Sequence, residues 1–120
     1  YTPLYTLSLH DALPIFHMGR TDYGSAFWDF TRKHLDAVTG KTTVIILGDG
    51  RSNYGDPAEE LLEKIAARCR RLIWLNPETP SMWGTGDSEM RRYMRHCDLA
   101  LECSTLRHLE QLVRVLVRIP

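Results

Sequence analysis

Apolar positions along the chain change period several times, and each change marks an element. Over residues 23–38, Phe27, Phe30, Leu35 and Val38 recur at near-helical spacing, with Gly40 as a C-terminal breaker. This predicts an amphipathic helix. Residues 42–47 are instead a continuous β-branched and apolar run, which suits a strand buried on both faces of a parallel sheet. The run ends abruptly in Gly48-Asp49-Gly50. Asp56-Pro57-Ala58-Glu59 then supplies an N-cap, a proline at the first helical position and a capping-box glutamate. The helix predicted to follow carries Ala58, Leu61, Leu62, Ile65, Ala66 and Cys69 on one face, with Glu60 four residues before Lys64 on the other.

Residues 72–75 form a second short apolar run, stopped by Asn76-Pro77-Glu78. A loop rich in Pro, Ser, Gly and Thr runs to Gly86, and Asp87 is placed to cap a helix that turns Met90, Tyr93 and Met94 inward. Residues 99–101 read as a third strand. Ser104 is placed to cap a last helix with Leu106, Leu109, Val113 and Leu116 on its core face. Strand and helix alternate throughout, which predicts an α/β fold with a parallel sheet covered by helices on both sides.

The first fifteen residues are expected to have a different origin. Residues 6–15 resemble, residue for residue, one reading frame of a common short-read sequencing adapter. Residues 1–15 are therefore expected to be a non-native segment and residues 16–120 the domain, with the genuine protein beginning upstream of Phe16. The alternation over residues 5–9 would also support a strand.

Composition narrows the partners. The chain has 120 residues, 43% hydrophobic and 25% charged, enough for one globular domain. Formal net charge is zero and the basic residues are spread over several segments, so there is no electrostatic case for nucleic acid or an anionic membrane. No apolar run is long enough to span a bilayer. Cys69, Cys97 and Cys103 include no C-x-x-C pair, which fits a reducing cytoplasm better than a disulfide framework.

In this topology Asp49, Asn76 and Ser104 all follow strand ends, on the sheet edge where open α/β folds bind ligands. Gly19-Arg20-Thr21-Asp22-Tyr23-Gly24-Ser25 adds a hydroxyl and a carboxylate near the same edge. Such hard oxygen donors suit Mg²⁺ or Ca²⁺. Each also has a plainer reading: Thr21 and Asp22 as a helix cap, and Asp49-Gly50 as a turn pair. Cys97, Cys103 and His108 match no familiar zinc spacing. His96 beside Cys97 suggests a base and a nucleophile, a pairing that adjacent residues rarely satisfy geometrically. Hydrolase, dinucleotide and P-loop signatures are absent from the sequence.

Three pieces resemble the C-terminal half of a CoxE-like von Willebrand factor A domain. Residues 19–24 are similar to that family's G-G-T-x-x-G turn, residues 44–50 to its strand ending in S-D-G, and Ile73-Trp74-Leu75-Asn76-Pro77-Glu78 to its I-W-L-N-P run. Gly48 stands where the family usually has Ser, and Arg20 where it often has Gly. The resemblance implies a partial doubly wound Rossmann-like sheet with a metal-ion-dependent adhesion site on its carboxyl edge. Thr21 and Asp49 would correspond to two Mg²⁺ ligands of that site, acting directly or through water. The main D-x-S-x-S motif has no counterpart here and is expected upstream, so Mg²⁺ should bind at millimolar strength or not at all.

The resemblance further implies a non-enzymatic interaction domain whose metal takes a carboxylate from a partner. That partner would be a MoxR-type AAA+ ATPase, in the assembly or maturation of a target protein, with this fragment itself inactive. An α/β enzyme fragment using Asp49 for Mg²⁺-assisted phosphoryl chemistry, with Asp56 as a candidate second carboxylate, is the alternative; a purely structural module with Asp49 as a turn residue is another. In the family the strand carrying Asp49 lies beside the first strand. Without that neighbour an apolar edge is expected, onto which residues 5–9 would dock or through which the fragment would aggregate.

Overall fold

The computed structural model describes residues 4–7, as backbone, and residues 22–118. Gly19, Arg20 and Thr21, and most of the adapter-like segment, lie outside the described residues. The elements are β1 (Leu4–Leu7), α1 (Tyr23–His34), β2 (Thr43–Leu47), α2 (Glu59–Arg68), β3 (Arg71–Asn76), α3 (Met90–Tyr93), β4 (Leu99–Glu102) and α4 (Leu106–Arg118), with 3₁₀ turns at Leu35–Ala37, Pro80–Met82 and Met94–His96. One sheet has the order β1-β2-β3-β4. β2, β3 and β4 are parallel, in registers such as Ile46↔Trp74 and Trp74↔Ala100. β1 runs antiparallel to β2, from Leu4↔Ile46 to Leu7↔Thr43. Of the two outcomes expected for the edge beside β2, docking of residues 5–9 or aggregation, the structure shows docking, by Leu4–Leu7.

Period-two alternation sends successive strand residues to opposite faces. Val44, Ile46, Leu72, Trp74 and Ala100 pack with Tyr23, Phe27 and Phe30 of α1, Leu62 and Ile65 of α2, and Met90 and Tyr93 of α3. Ile45, Ile73, Leu75, Leu99 and Leu101 face the other way, against Leu112 and Leu116 of α4. Helices thus cover both faces, as a continuous apolar strand requires. This is the partial doubly wound, Rossmann-like α/β arrangement.

α1 buries Tyr23, Ala26, Phe27 and Phe30, a stripe at i, i+3, i+4 and i+7. Asp22 is its N-cap, accepting from Ser25 N at 3.0 Å and from Ser25 Oγ at 2.9 Å. The plainer reading of Asp22 is therefore realised. The helix tightens to a 3₁₀ turn at Leu35 and does not reach Val38, which is nevertheless buried.

Three helix starts differ from expectation. α2 begins at Glu59, with Ala58 as N-cap in the left-handed region (φ 50°) and Asp56 Oδ1 accepting from Ala58 N at 2.9 Å. Tertiary contacts decide this, because Tyr93 Oη donates to Pro57 O at 2.8 Å and α1 presses close enough that a Cβ on Gly24 would lie 3.0 Å from Asp56 O. Asp87 does not cap α3; it pairs with Arg51, while Ser88 Oγ accepts from Met90 N at 3.3 Å. Met94 turns outward. At α4 the cap is Thr105, whose Oγ1 accepts from His108 N at 3.2 Å; Ser104 Oγ donates to Glu102 instead.

α4 is also rotated from the expected face. Leu112 is its buried residue, Leu116 packs beside it, and Leu106, Leu109 and Val113 are exposed. The helix carries apolar residues on more of its circumference than one sheet contact covers, so periodicity alone cannot choose the buried arc. Leu112→Ala is expected to cost about 2–4 kcal/mol and Leu106→Ala within about 0.5 kcal/mol, measured by urea denaturation. The reverse order would mean that the expected face is the buried one.

Candidate functional site

Four buried aromatic rings form the floor under the carboxyl edge. Trp74 stacks on Tyr93 (centroids 4.9 Å, planes 14° apart), and Tyr23 and Phe27 close around them at 5.5–6.4 Å. A buried Trp or Tyr must still satisfy its polar tip. Trp74 Nε1 donates to Gly48 O at 2.8 Å, and Tyr23 Oη accepts from Gly50 N at 2.9 Å while lying 3.3 Å from Asp49 Oδ1. Burial pushes the Tyr93 phenol far above its usual range, keeping it a neutral donor.

Asp49 leaves the end of β2 into this cradle. Its backbone O accepts from Asn76 Nδ2 at 3.0 Å, and Asn76 Oδ1 accepts from Glu78 N at 2.8 Å, so the fully buried Asn76 ties two strand ends together. Asp49 Oδ1 also accepts from Arg51 N at 2.9 Å, closing an Asx turn. Among the described residues, the hydrogen bonds to this half-buried side chain all reach Oδ1. Gly50 needs its φ of 75° and its missing Cβ, which would stand 2.6 Å from Met90 Cγ and Sδ.

Arg51 clamps the loop from outside. Its guanidinium forks onto Glu78 (2.8 and 3.0 Å), and Nη1 reaches Asp87 Oδ1 at 3.0 Å and Thr85 O at 2.9 Å. The other oxygen of Asp87 accepts from Asn53 N at 2.8 Å. These hydrogen bonds raise the Arg51 pKa further and hold the Asp87 carboxyl below its usual range. The loop thus projects Asn53 and Tyr54, both left-handed (φ 53° and 59°), from a pinned base; Tyr54 is 83% exposed. Beside it a polar cavity of about 480 Å³ is lined by Asp22, Ser25, Ser52, Asn53 and Asp56, among others.

The edge therefore brings Asp49 and Asn76 together, but not Ser104, whose hydrogen bonds among the described residues go to Glu102 and His108. Thr21 lies outside the described residues. Among the described residues no group of three His, Cys, Asp or Glu side chains could hold a metal, so Asp49 alone does not fit a self-sufficient Mg²⁺ site. The same observation removes the Cys97, Cys103 and His108 corner. His96 and Cys97 diverge: His96 Nε2 lies 3.3 Å from Glu59 Oε1, poorly aligned for a hydrogen bond, while Cys97 Sγ bonds Tyr93 O and burial pushes the thiol up to about 12. A thiol so raised is a poor nucleophile. The loop-holding roles of Tyr23 and Trp74 and the Arg51 clamp were not read from the sequence, although Trp74 stands in the run that carries the family resemblance. The available signal was a Trp inside a buried strand, whose N–H demands an acceptor.

A Rossmann-like sheet with a pinned acidic loop at its carboxyl edge is the architecture of an edge-binding α/β domain. The family model for VWA domain containing CoxE-like proteins matches residues 9–112, and the chain belongs to that family. This is a family of protein-interaction domains and is generally non-catalytic. The chain is also similar to a highly reducing polyketide synthase of Didymella fabae, 30% identical over 105 residues, which cover 85% of this chain. It spans only 6% of that protein's length. No solved structure gives a significant match. Among the described residues, no helix is long and apolar enough to cross a membrane.

Two measurements test the cradle. Tyr23→Phe should cost about 1–3 kcal/mol in urea denaturation, because it strands the buried Gly50 N–H; an unchanged midpoint would show that Gly50 does not depend on the phenol. Asp87 and Glu59 have lowered pKa values, Asp87 through Arg51 and Glu59 because His96 and Arg95 outweigh the opposing effect of burial. Their stabilisation is present above the ordinary carboxylate pKa of about 4 and is lost as pH falls through the folded values. Arg51→Met should flatten that acid-side loss, read from denaturation midpoints between pH 7 and pH 3.

Proposed function

We propose that the chain is a protein-docking domain whose recognition edge is the loop after β2, with Asp49 as its central charged contact and a MoxR-type AAA+ ATPase as its partner. The observation that carries this is the state of the Asp49 carboxylate. One oxygen holds the loop, and the other accepts no hydrogen bond among the described residues. A rigid base reduces the ordering cost of binding, since the loop does not have to be fixed when the partner arrives. The partner interaction serves the assembly or maturation of a target protein in the cytoplasm.

Metal dependence belongs to the same proposal. Thr21 and Asp49 are the contacts this chain offers to Mg²⁺, and a cation that demands octahedral geometry and releases its waters reluctantly gains little from so few ligands. Calorimetric titration of the chain should show binding of millimolar order or none. A micromolar site would overturn this expectation.

The competing reading is that Asp49 serves only its turn, which the bond from Arg51 N favours. Asp49→Asn separates the two, because the amide retains an oxygen acceptor for the turn but loses the charge. Immobilised chain is titrated with a purified MoxR-type ATPase in the presence of Mg²⁺. A loss of at least about tenfold in affinity for Asp49→Asn, with an unchanged urea midpoint, is the expected result. Equal binding by both chains, or none by either, would remove Asp49 or the ATPase from the proposal.

A further inference from the structure

The loops at the carboxyl edge are acidic, although the chain as a whole is formally neutral. Beyond the Asp22 cap, residues 48–58 and 77–89 hold Asp49, Asp56, Glu78, Asp87 and Glu89 against one basic residue, Arg51. Arg51 is taken up by Glu78 and Asp87, and Glu89 lies 3.7 Å from Arg92. Asp22, Asp49 and Asp56 form no salt bridge among the described residues. Two of these three, Asp22 and Asp56, line the polar cavity of about 480 Å³ beside the loop tip. Charge of one sign on the wall of a concavity concentrates the field there and draws in a cation.

A second feature stands at the rim. Asn53 and Gly55 both line the cavity, which places the 83% exposed Tyr54 at its mouth. Asn53 and Tyr54 are consecutive left-handed residues, and a bulky aromatic residue is strained in that region. The pinned base imposes it: Asn53 N donates to Asp87 Oδ2 at 2.8 Å, Ser52 N to Asp87 O at 3.0 Å, and Gly55 N to Ser52 O at 3.0 Å. A large ring is thus held in solvent on an ordered tip, beside carboxylates that lack a cation. Strain that the surroundings over-determine in this way clusters at binding sites.

We propose that the cavity and Tyr54 together receive an arginine side chain of a partner protein. Charge complementarity selects a basic occupant, and the neighbouring ring selects arginine over lysine. A guanidinium can donate in its plane to carboxylates while its face stacks on an aromatic ring, which an ammonium group cannot do. Both carboxylates have capacity for it. Asp56 accepts from Ala58 N through Oδ1 alone among the described residues, and each Asp22 oxygen keeps a lone pair beyond its bond from Ser25. The inference names the chemistry of a partner at the edge read above as a recognition surface, and it rests on that reading. Asp49, however, does not line the cavity.

NMR titration of the ¹⁵N-labelled whole chain with the blocked peptide acetyl-Gly-Arg-Gly-amide tests it, with the matching lysine and glutamate peptides as controls. Amide shifts should concentrate at residues 22–25 and 52–56 and saturate at millimolar order with the arginine peptide, more weakly with lysine and not at all with glutamate. Asp56→Asn keeps an oxygen for Ala58 N, and Tyr54→Gly suits the left-handed backbone, so neither should lower the urea midpoint. Each should nevertheless weaken arginine binding by roughly two- to fivefold. A tyrosine that only shaped the loop would not separate the two readouts. Absent shifts at these residues, equal shifts with the glutamate peptide, or variants that bind like the wild type overturn the proposal. Lysine binding as tight as arginine overturns the stacking role of Tyr54. Neither the ATPase nor an Asp49 substitution enters this titration, so its failure leaves the Asp49 docking test unaffected, and failure of that test leaves this result standing.

Discussion

The stack of Trp74 on Tyr93, closed by Tyr23 and Phe27, is the contact on which the remaining order of the carboxyl edge depends. Rings of this size bury large apolar areas, yet three of the four also carry a polar atom that has to be satisfied in the interior. Each polar tip ends on a loop: Trp74 on Gly48, Tyr23 on Gly50, Tyr93 on Pro57. One packing event among β3, α1 and α3 therefore fixes the path of the chain out of β2 and into α2. The loops are not draped over a finished core; their backbone is part of the core's hydrogen-bond closure.

Arg51 acts on the same loop from the solvent side. Its two carboxylate partners are only partly buried, so the fork contributes modestly to stability, but it joins the loop after β2 to the segment before α3. Held from below by aromatic tips and from above by a guanidinium, Asp49 has little freedom of its own. Membership of the family of VWA domain containing CoxE-like proteins places the domain in a setting of protein interaction.

Much of this order is visible in the residues themselves. The strands at Val44–Ile46 and Leu72–Leu75, the α1 stripe of Phe27 and Phe30, and the α2 face of Leu62 and Ile65 were expected where they are found, because continuous apolar runs and i, i+3, i+4 stripes admit few other placements. Asp49 and Asn76 were expected on one edge and are bonded there. The failures are of one kind. Asp56, Asp87 and Ser104 each stand where a cap belongs, and each has its oxygens taken up in other bonds. Any of several nearby polar groups can cap a helix, and the choice depends on what else the side chain can reach. The face of α4 failed for a related reason, its apolar residues offering more than one arc to bury.

The sequence by itself determined the class of fold, the order of its elements, the carboxyl edge as the place where polar chemistry gathers, and the family to which the chain belongs, since these rest on local periodicity and short strings. Tertiary structure alone decided that Tyr23 and Trp74 hold the loop around Asp49, that Arg51 clamps it, and that α4 shows an apolar stripe to solvent. The bonds that hold and clamp the loop join residues 26 to 36 positions apart. The physical reason is the satisfaction of buried polar atoms: an indole N–H or a phenol must find an acceptor once its ring is buried, and which one it finds depends on the arrangement of the whole chain.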